Sequence, residues 1–212
     1  MNTPYINTKL DTVITITPSQ MGNNLYINIK QNLEKKLKGK CFKDYGYIDE
    51  IYNIVEYNGG YIEAEDLSAS AKFNVTFACR LCRPLKMKKI ICRVNKVNKS
   101  LMTLTNGPIL AIVTIDRIND NNFFIDSNRN VRYKNINNIR KNNNSNVSPI
   151  VKSGELAKVV ISAIKFNNGG NIIKVIGILD DLANDNEIEL YEKEDHKFNI
   201  DTKEYNNYIE DI

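Results

Sequence analysis

Residues 71–84 read AKFNVTFACRLCRP. Cys79 and Cys82 with their basic neighbours could be half of a zinc site, or the whole run could be a β-strand leading into a basic domain. Spacing separates the two. Ala71, Phe73, Val75, Phe77, Cys79 and Leu81 alternate with Lys72, Asn74, Thr76, Ala78 and Arg80, the period-two pattern of a strand with one apolar face. Residues three apart on an extended strand project to opposite faces, so Cys79 and Cys82 do not converge on one ion. A structural zinc site takes four ligands. Only Cys41, Cys92 and the lone His196 remain to complete a set, and there is no second CxxC. The run is a strand that Pro84 ends, and neither a metal nor another cofactor is expected.

Upstream of this strand, residues 10–17 (LDTVITIT) are β-rich and stop at Pro18. Leu25, Ile29, Leu33 and Leu37 then recur every four residues, and Gly39 sits where a helix C-cap belongs, so an amphipathic helix starts at Asn24. Residues 40–63 carry Ile48, Ile51, Ile54 and Tyr61 around Asn58-Gly59-Gly60, which predicts a β-hairpin turning at the glycines. Residues 1–83 therefore form a small α+β unit. After Pro84 the pattern is all-β, with strands expected at 88–97, 100–105, 109–116, 123–133, 156–166 and 171–179. Asn167-Asn168-Gly169-Gly170 joins the last two. Five or six short strands over residues 84–182 point to a small barrel or sandwich, and a five-stranded OB barrel is the smallest common answer. The stretch 135–149 (NINNIRKNNNSNVSP) is poor in apolar residues and reads as a mobile insertion; residues 183–212 form an acidic tail.

The 212 residues carry 42% hydrophobic and 25% charged side chains, a globular composition. No stretch approaches about 18 uninterrupted apolar residues, so no membrane span is expected. The N-terminus MNTPYINTKLD has no secretory character, and an intracellular location with reduced thiols is expected. The net charge of +4 is unevenly placed: from Asp180 onward 12 acidic residues face three lysines, whereas the first 179 residues carry 26 Lys+Arg and 13 Asp+Glu. A basic body with an acidic tail fits nucleic-acid binding, and equally a well-solvated surface. Catalytic signals are weak. His196 lies in the tail, a poor support for a preorganised triad, and no P-loop or dinucleotide fingerprint occurs. No catalytic residue is assigned.

Basic residues are better placed. Lys86, Lys88, Lys89, Arg93, Lys96 and Lys99 fall on the first barrel strand and its flanks. Arg117, Arg129 and Arg132 follow, interleaved with Phe123, Phe124 and Tyr133. A basic groove with stacking aromatics is how OB-folds hold single strands, each stacked base contributing about 1–3 kcal/mol. These residues, with Phe123 and Tyr133 as stacking rings, are the candidate RNA-binding set. One of Phe123 and Phe124 is expected in the core by alternation.

The order of pieces resembles the stalk subunit of archaeal and eukaryotic multisubunit RNA polymerases, the seventh subunit of RNA polymerase II and its archaeal counterpart. Four stretches carry the resemblance: 16–48 (ITPSQMGNNLYINIKQNLEKKLKGKCFKDYGYI), 73–84 (FNVTFACRLCRP), 94–108 with VNKVNK and NGP, and 175–181 (VIGILDD). The resemblance spans about residues 10–181. The resemblance implies an α+β protein, with an N-terminal tip domain (1–83) and a C-terminal S1-type OB barrel (84–182). It implies a non-catalytic subunit whose tip docks at the clamp base of the largest polymerase subunits while the barrel guides nascent single-stranded RNA. Carried onto this sequence, docking falls to Pro18, Met21, Gly22, Asn23, Gly39, Tyr45 and Gly46. A small helical fourth-subunit-like partner is implied too, one that viral versions can lack. Met87 and Leu101 stand where the family usually has glycine, and Met102 replaces an aromatic, which moves the weight from stacking to charge. The 32 asparagines, a residue with A/T-rich codons, point to an A/T-rich protist or a large cytoplasmic DNA virus. The protein would then work in the nucleus of a cell, or in the cytoplasm, viral factory or virion of a virus. The alternative is a free-standing S1/OB RNA-binding factor in translation or RNA decay, which accounts for barrel and charge but not for the tip segments.

Overall fold

A computed structural model describes residues 3–134 and 148–192. Most of the Asn-rich stretch and the tail from 193 lie outside the described residues. The described chain is mostly β, with eleven strands, α1 (Leu25–Leu37) and a second helix, α2, whose described residues are 185–192. It divides into two compact units, one of residues 5–83 with 167–171, the other of residues 84–166 and 172–192 with 3–4. None of its helices is long and apolar enough to cross a membrane.

The first unit is a four-stranded antiparallel sheet in the order β1 (Tyr5–Ile16), β4 (Ala71–Cys82), β3 (Gly46–Ile62), β2 (Lys40–Phe42). β1 and β4 pair without a register shift from Tyr5↔Cys82 to Ile16↔Ala71. That register puts Leu10, Ile14 and Ile16 on the same face as Phe73, Val75, Phe77, Cys79 and Leu81, and Ile29, Leu33 and Leu37 of α1 complete this core. Lys35 and Lys36 in the last turn of α1 suit its negative dipole end. The helix stops where Gly39 turns left-handed at φ 76° and donates its N–H to Ile48 O at 2.9 Å.

One expectation for this unit fails. Asn58-Gly59-Gly60 is not a hairpin turn but the interior of β3, which stays paired with β4 through a register shift between Gly59 and Tyr61. Both glycines have positive φ, 106° and 88°, a requirement that bulges and turns share. A side chain at Gly60 would also press on the Phe73 ring at 3.1 Å.

The second unit is a closed barrel in the order β10 (Leu156–Lys165), β11 (Ile173–Leu182), β7 (Ile109–Thr114), β6 (Leu101–Asn106), β5 (Lys89–Val97). β7 and β11 run parallel, and every other pair is antiparallel. Ile90, Cys92, Val94, Leu104, Ala111, Val159, Ile161, Val175 and Leu179 fill the buried interior. Gly177 is where β11 crosses Val159, and a Cβ there would collide with Val159 Cγ1. The single strand expected over 123–133 is instead a hairpin, β8 (Phe123–Ile125) with β9 (Val131–Tyr133). Asp126 makes the turn by accepting from the Asn128 N–H at 3.1 Å, a local bond that competes with strand continuation.

Candidate nucleic-acid interface

The expected cations are placed by strand alternation and turn geometry. On β5, Ile90, Cys92 and Val94 point inward, which sends Lys89 and Arg93, both exposed, to the outer side with Ile91, which is covered there and only 3% exposed. Lys86 and Lys88 are exposed on the turn before β5, and Lys96 and Lys99 are exposed at its far end. That turn is tied to the barrel where Met87 N–H donates to Ile161 O at 2.8 Å and Ile161 N–H to Lys88 O at 3.0 Å. Met87 itself is left-handed at φ 62°, so the position has a backbone reason to be glycine. Leu101 has no such demand; it opens β6 as an ordinary half-buried strand residue.

Lys89 Nζ meets Asp180 Oδ2 at 2.6 Å with 62% of its side chain exposed. Such a surface pair contributes about 0–1 kcal/mol, so it leaves the ammonium available to a phosphate. Cross-strand pairing puts Leu156, Lys158 and Val160 of β10 beside Arg93, Ile91 and Lys89. Lys158, which the sequence pattern did not single out as a candidate, thereby joins the outer basic surface. Its alternation with buried Ala157 and Val159 was the available signal. Its ammonium lies 3.3 Å from Asp181 Oδ2 and 3.1 Å from Glu187 Oε2. Burial alone would push its pKa down, but the Glu187 and Asp181 carboxylates overcome that and hold it above the ordinary lysine value. Lys88, Lys89 and Lys158 line a recess of about 510 Å³, and Arg93 lines a second of about 410 Å³.

The remaining candidates separate. Arg117 and Arg129 are exposed in the turns after β7 and between β8 and β9. Arg132 is a brace: Nε donates to Asp126 Oδ2 and Nη1 to Ser148 O, both at 2.9 Å. Asp126 is held below the usual carboxylate range by the Asn128 N–H first, then by Ser127 and Arg132. The structure corrects the stacking role expected of Phe123 and Tyr133. Phe123 is fully buried and Tyr133 is 4% exposed, with ring centroids 5.2 Å apart and edge to face, so neither offers a face to a base. Tyr133 donates its hydroxyl to Asp181 Oδ1 at 2.7 Å, and burial, then that carboxylate, raises its pKa. Phe124 is the ring of this hairpin left half-exposed.

In the first unit, Pro18–Gln20 form a short 3-10 turn braced from α1: Asn28 Nδ2 donates to Gln20 O at 2.8 Å and Asn32 Nδ2 to Gln20 Oε1 at 3.0 Å. The brace leaves Pro18, Met21, Gly22 and Asn23 exposed. A Cβ at Gly22 would meet nothing within 4 Å, so the fold itself does not require this glycine. Gly39 and Gly46 differ. Gly39 caps α1, and Gly46 is buried with φ 142°, where a Cβ would lie 2.5 Å from Cys82 O. A docking contact through Gly46 is therefore withdrawn, because the residue serves the sheet. Tyr45 beside it is 42% exposed.

The four cysteines, Cys41, Cys79, Cys82 and Cys92, are all buried. Cys79 packs in the sheet core and Cys82 ends β4. Burial pushes Cys79 and Cys92 up to about 12.

Residues 11–66, within the first unit, match the family described as "SHS2 domain found in N terminus of Rpb7p/Rpc25p/MJ0397". The chain is also 32% identical over 190 residues to an Acanthamoeba polyphaga mimivirus protein named as DNA-directed RNA polymerase subunit L376. That alignment covers 90% of this chain and 89% of the relative, so it takes in the barrel as well as the sheet unit.

Proposed function

Because the chain belongs to the Rpb7-type family of DNA-directed RNA polymerase subunits, with a giant-virus relative, we propose that it is the stalk subunit of such a polymerase. It contributes no catalytic group. Its sheet unit docks on the clamp base of the core enzyme, and its barrel guides nascent single-stranded RNA. The observation that carries this reading is the relationship spanning 90% of the chain, because a free RNA-binding factor has no need of the sheet unit that matches the polymerase family. The strand order β5-β6-β7-β11-β10, with β7 parallel to β11, supports reading the barrel as an S1-type OB fold.

On the docking side, the exposed loop Pro18–Asn23 and Tyr45 offer the contact surface, with Gly22 giving a partner backbone room to approach. On the RNA side, Lys86, Lys88, Lys89, Arg93, Lys96 and Lys99, with Arg117 and Arg129, bind phosphates. With Phe123 and Tyr133 buried, charge rather than stacking supplies the affinity. RNA binding then weakens steeply with salt, since each neutralised phosphate on a single strand adds about 0.7 to the slope of log K against log salt.

Purification of the tagged protein from its own cells or virions, followed by mass spectrometry, tests the core of the reading. Stoichiometric recovery of the two largest polymerase subunits is the expected result, and any small helical fourth-subunit partner would appear alongside them. Recovery of RNA or ribosomes without polymerase would replace the stalk with a free-standing RNA-binding factor.

A further inference from the structure

We propose that α2 is a built-in competitor for RNA, occupying the outer cationic surface of β5 and β10 until a nucleic acid displaces it. This rests on reading that surface as the RNA site. Residues 185–192 carry Asp185, Glu187, Glu189 and Glu192 on eight positions. Glu187 Oε2 lies 3.1 Å from Lys158 Nζ, while Asp181 Oδ2 holds the same ammonium from the other side at 3.3 Å. The Lys158 and Glu187 side chains are only 15% and 28% exposed, so a phosphate oxygen reaches this lysine only by replacing a carboxylate. Glu187 and Leu190 also wall the recess into which Lys88 and Lys89 open. Asp185, Ile188 and Glu192 wall the recess into which Arg93 opens. The cations expected to meet RNA therefore share their recesses with the carboxylates of α2.

α2 is closed at its start and tethered directly to the barrel. Asn184 N–H donates to Glu187 Oε2 at 2.9 Å, closing the first turn. On the helix, Ile188 and Tyr191 are half-buried, and Leu190 stays 53% exposed. Two residues separate Leu182 at the end of β11 from Asp185, so the carboxylates never diffuse away from the site. An intramolecular competitor of this kind lowers the apparent affinity for RNA by the fraction of time the surface is covered.

The test uses the full chain and a 20-nucleotide oligouridylate, with binding read by fluorescence anisotropy at low salt. D185N, E187Q and E192Q are combined. The E187Q side chain keeps an amide oxygen that can accept from the Asn184 N–H, while the charge is gone. A control combines E56Q, E63Q and E65Q, the same charge change made in the sheet unit. Thermal melts check that both variants fold. The α2 variant is expected to bind about tenfold tighter than the parent, with the control within about twofold. Adding RNA to the parent should also speed amide exchange within residues 187–192. Equal affinity of parent and α2 variant would overturn the competitor while leaving the RNA-binding reading standing. An equal gain in the control would overturn it in favour of bulk charge. Failure of parent and both variants to bind RNA at all would remove the RNA-binding reading, and the competitor with it.

Discussion

Met87 holds left-handed backbone at φ 62° while 78% of its surface is exposed, so its side chain does little packing to offset the backbone cost. A non-glycine residue in this region costs about 1–2 kcal/mol, and glycine adds back about 0.5–1 through its freer unfolded state. Met87→Gly is therefore expected to stabilise the protein by about 0.5 kcal/mol, read as a higher urea midpoint at unchanged slope. A loss of stability would mean that Met87 packs better than its exposure implies. The buried thiols act at the same scale. Cys79 and Cys92 titrate near 12 when folded, pushed there by burial, against 9.0 as free groups. A raised folded pKa means that the folded state favours the protonated thiol. That contribution is whole below pH 9 and drains away as pH rises toward 12. The loss is at most about 1.4 kcal/mol per pH unit for each thiol. Denaturant midpoints at pH 8 and pH 10.5 should fall less for a Cys79→Ala, Cys92→Ala double variant than for the parent. Identical falls would assign the alkaline loss to other groups.

At the scale of elements, β11 and β10 are interlocked at one glycine. With Val159 Cγ1 occupying the space where a Cβ would stand, Gly177→Ala forces the strands apart. Overpacking of this kind costs about 1–3 kcal/mol. Val159→Ala empties the space a methyl would need, so the double variant should lose less than the sum of the singles. Strict additivity in urea melts would show that the clash is relieved elsewhere. The elements most legible in the sequence are those whose periodicity agrees with their burial: β4 by its alternation, α1 by Leu25, Ile29, Leu33 and Leu37. The illegible ones turn on local backbone choices. Gly59-Gly60 satisfies a bulge as well as a turn, and only the partner strand decides. Asp126 breaks 123–133 through a hydrogen bond to Asn128 that no apolar pattern announces. For the candidate site, the lysines on and before β5 were legible because charge on a strand must face outward. Phe123 and Tyr133 were misread because alternation does not say which side of a two-stranded hairpin meets the barrel. α2 was hidden in an acidic tail, since its apolar residues Ile188 and Leu190 are too few to mark a helix by period alone.

For the whole molecule, the proposed function assigns two jobs to two units, and that division makes them separable by mutation. Gly22 is exposed, and a Cβ there would meet nothing within 4 Å, so a large side chain at this position leaves the sheet unit intact. Gly22→Trp is expected to change stability by no more than about 0.5 kcal/mol, as surface substitutions usually do. In the tagged protein it should abolish recovery of the large polymerase subunits while RNA affinity stays at the parent value. The reciprocal variant replaces Lys88, Lys89, Arg93 and Lys96 with alanine. It should keep polymerase and lose RNA affinity across all sequences, with the salt slope reduced by about 0.7 for each phosphate contact removed. Both outcomes follow from a docking surface that uses shape and an RNA surface that uses charge. If Gly22→Trp still travels with polymerase at full stoichiometry, the loop Pro18–Asn23 is not at the interface. The contact would then pass to the surface around Tyr45. If the alanine variant loses polymerase together with RNA, the barrel's cations hold the core enzyme, and the assignment of charge to RNA alone is wrong.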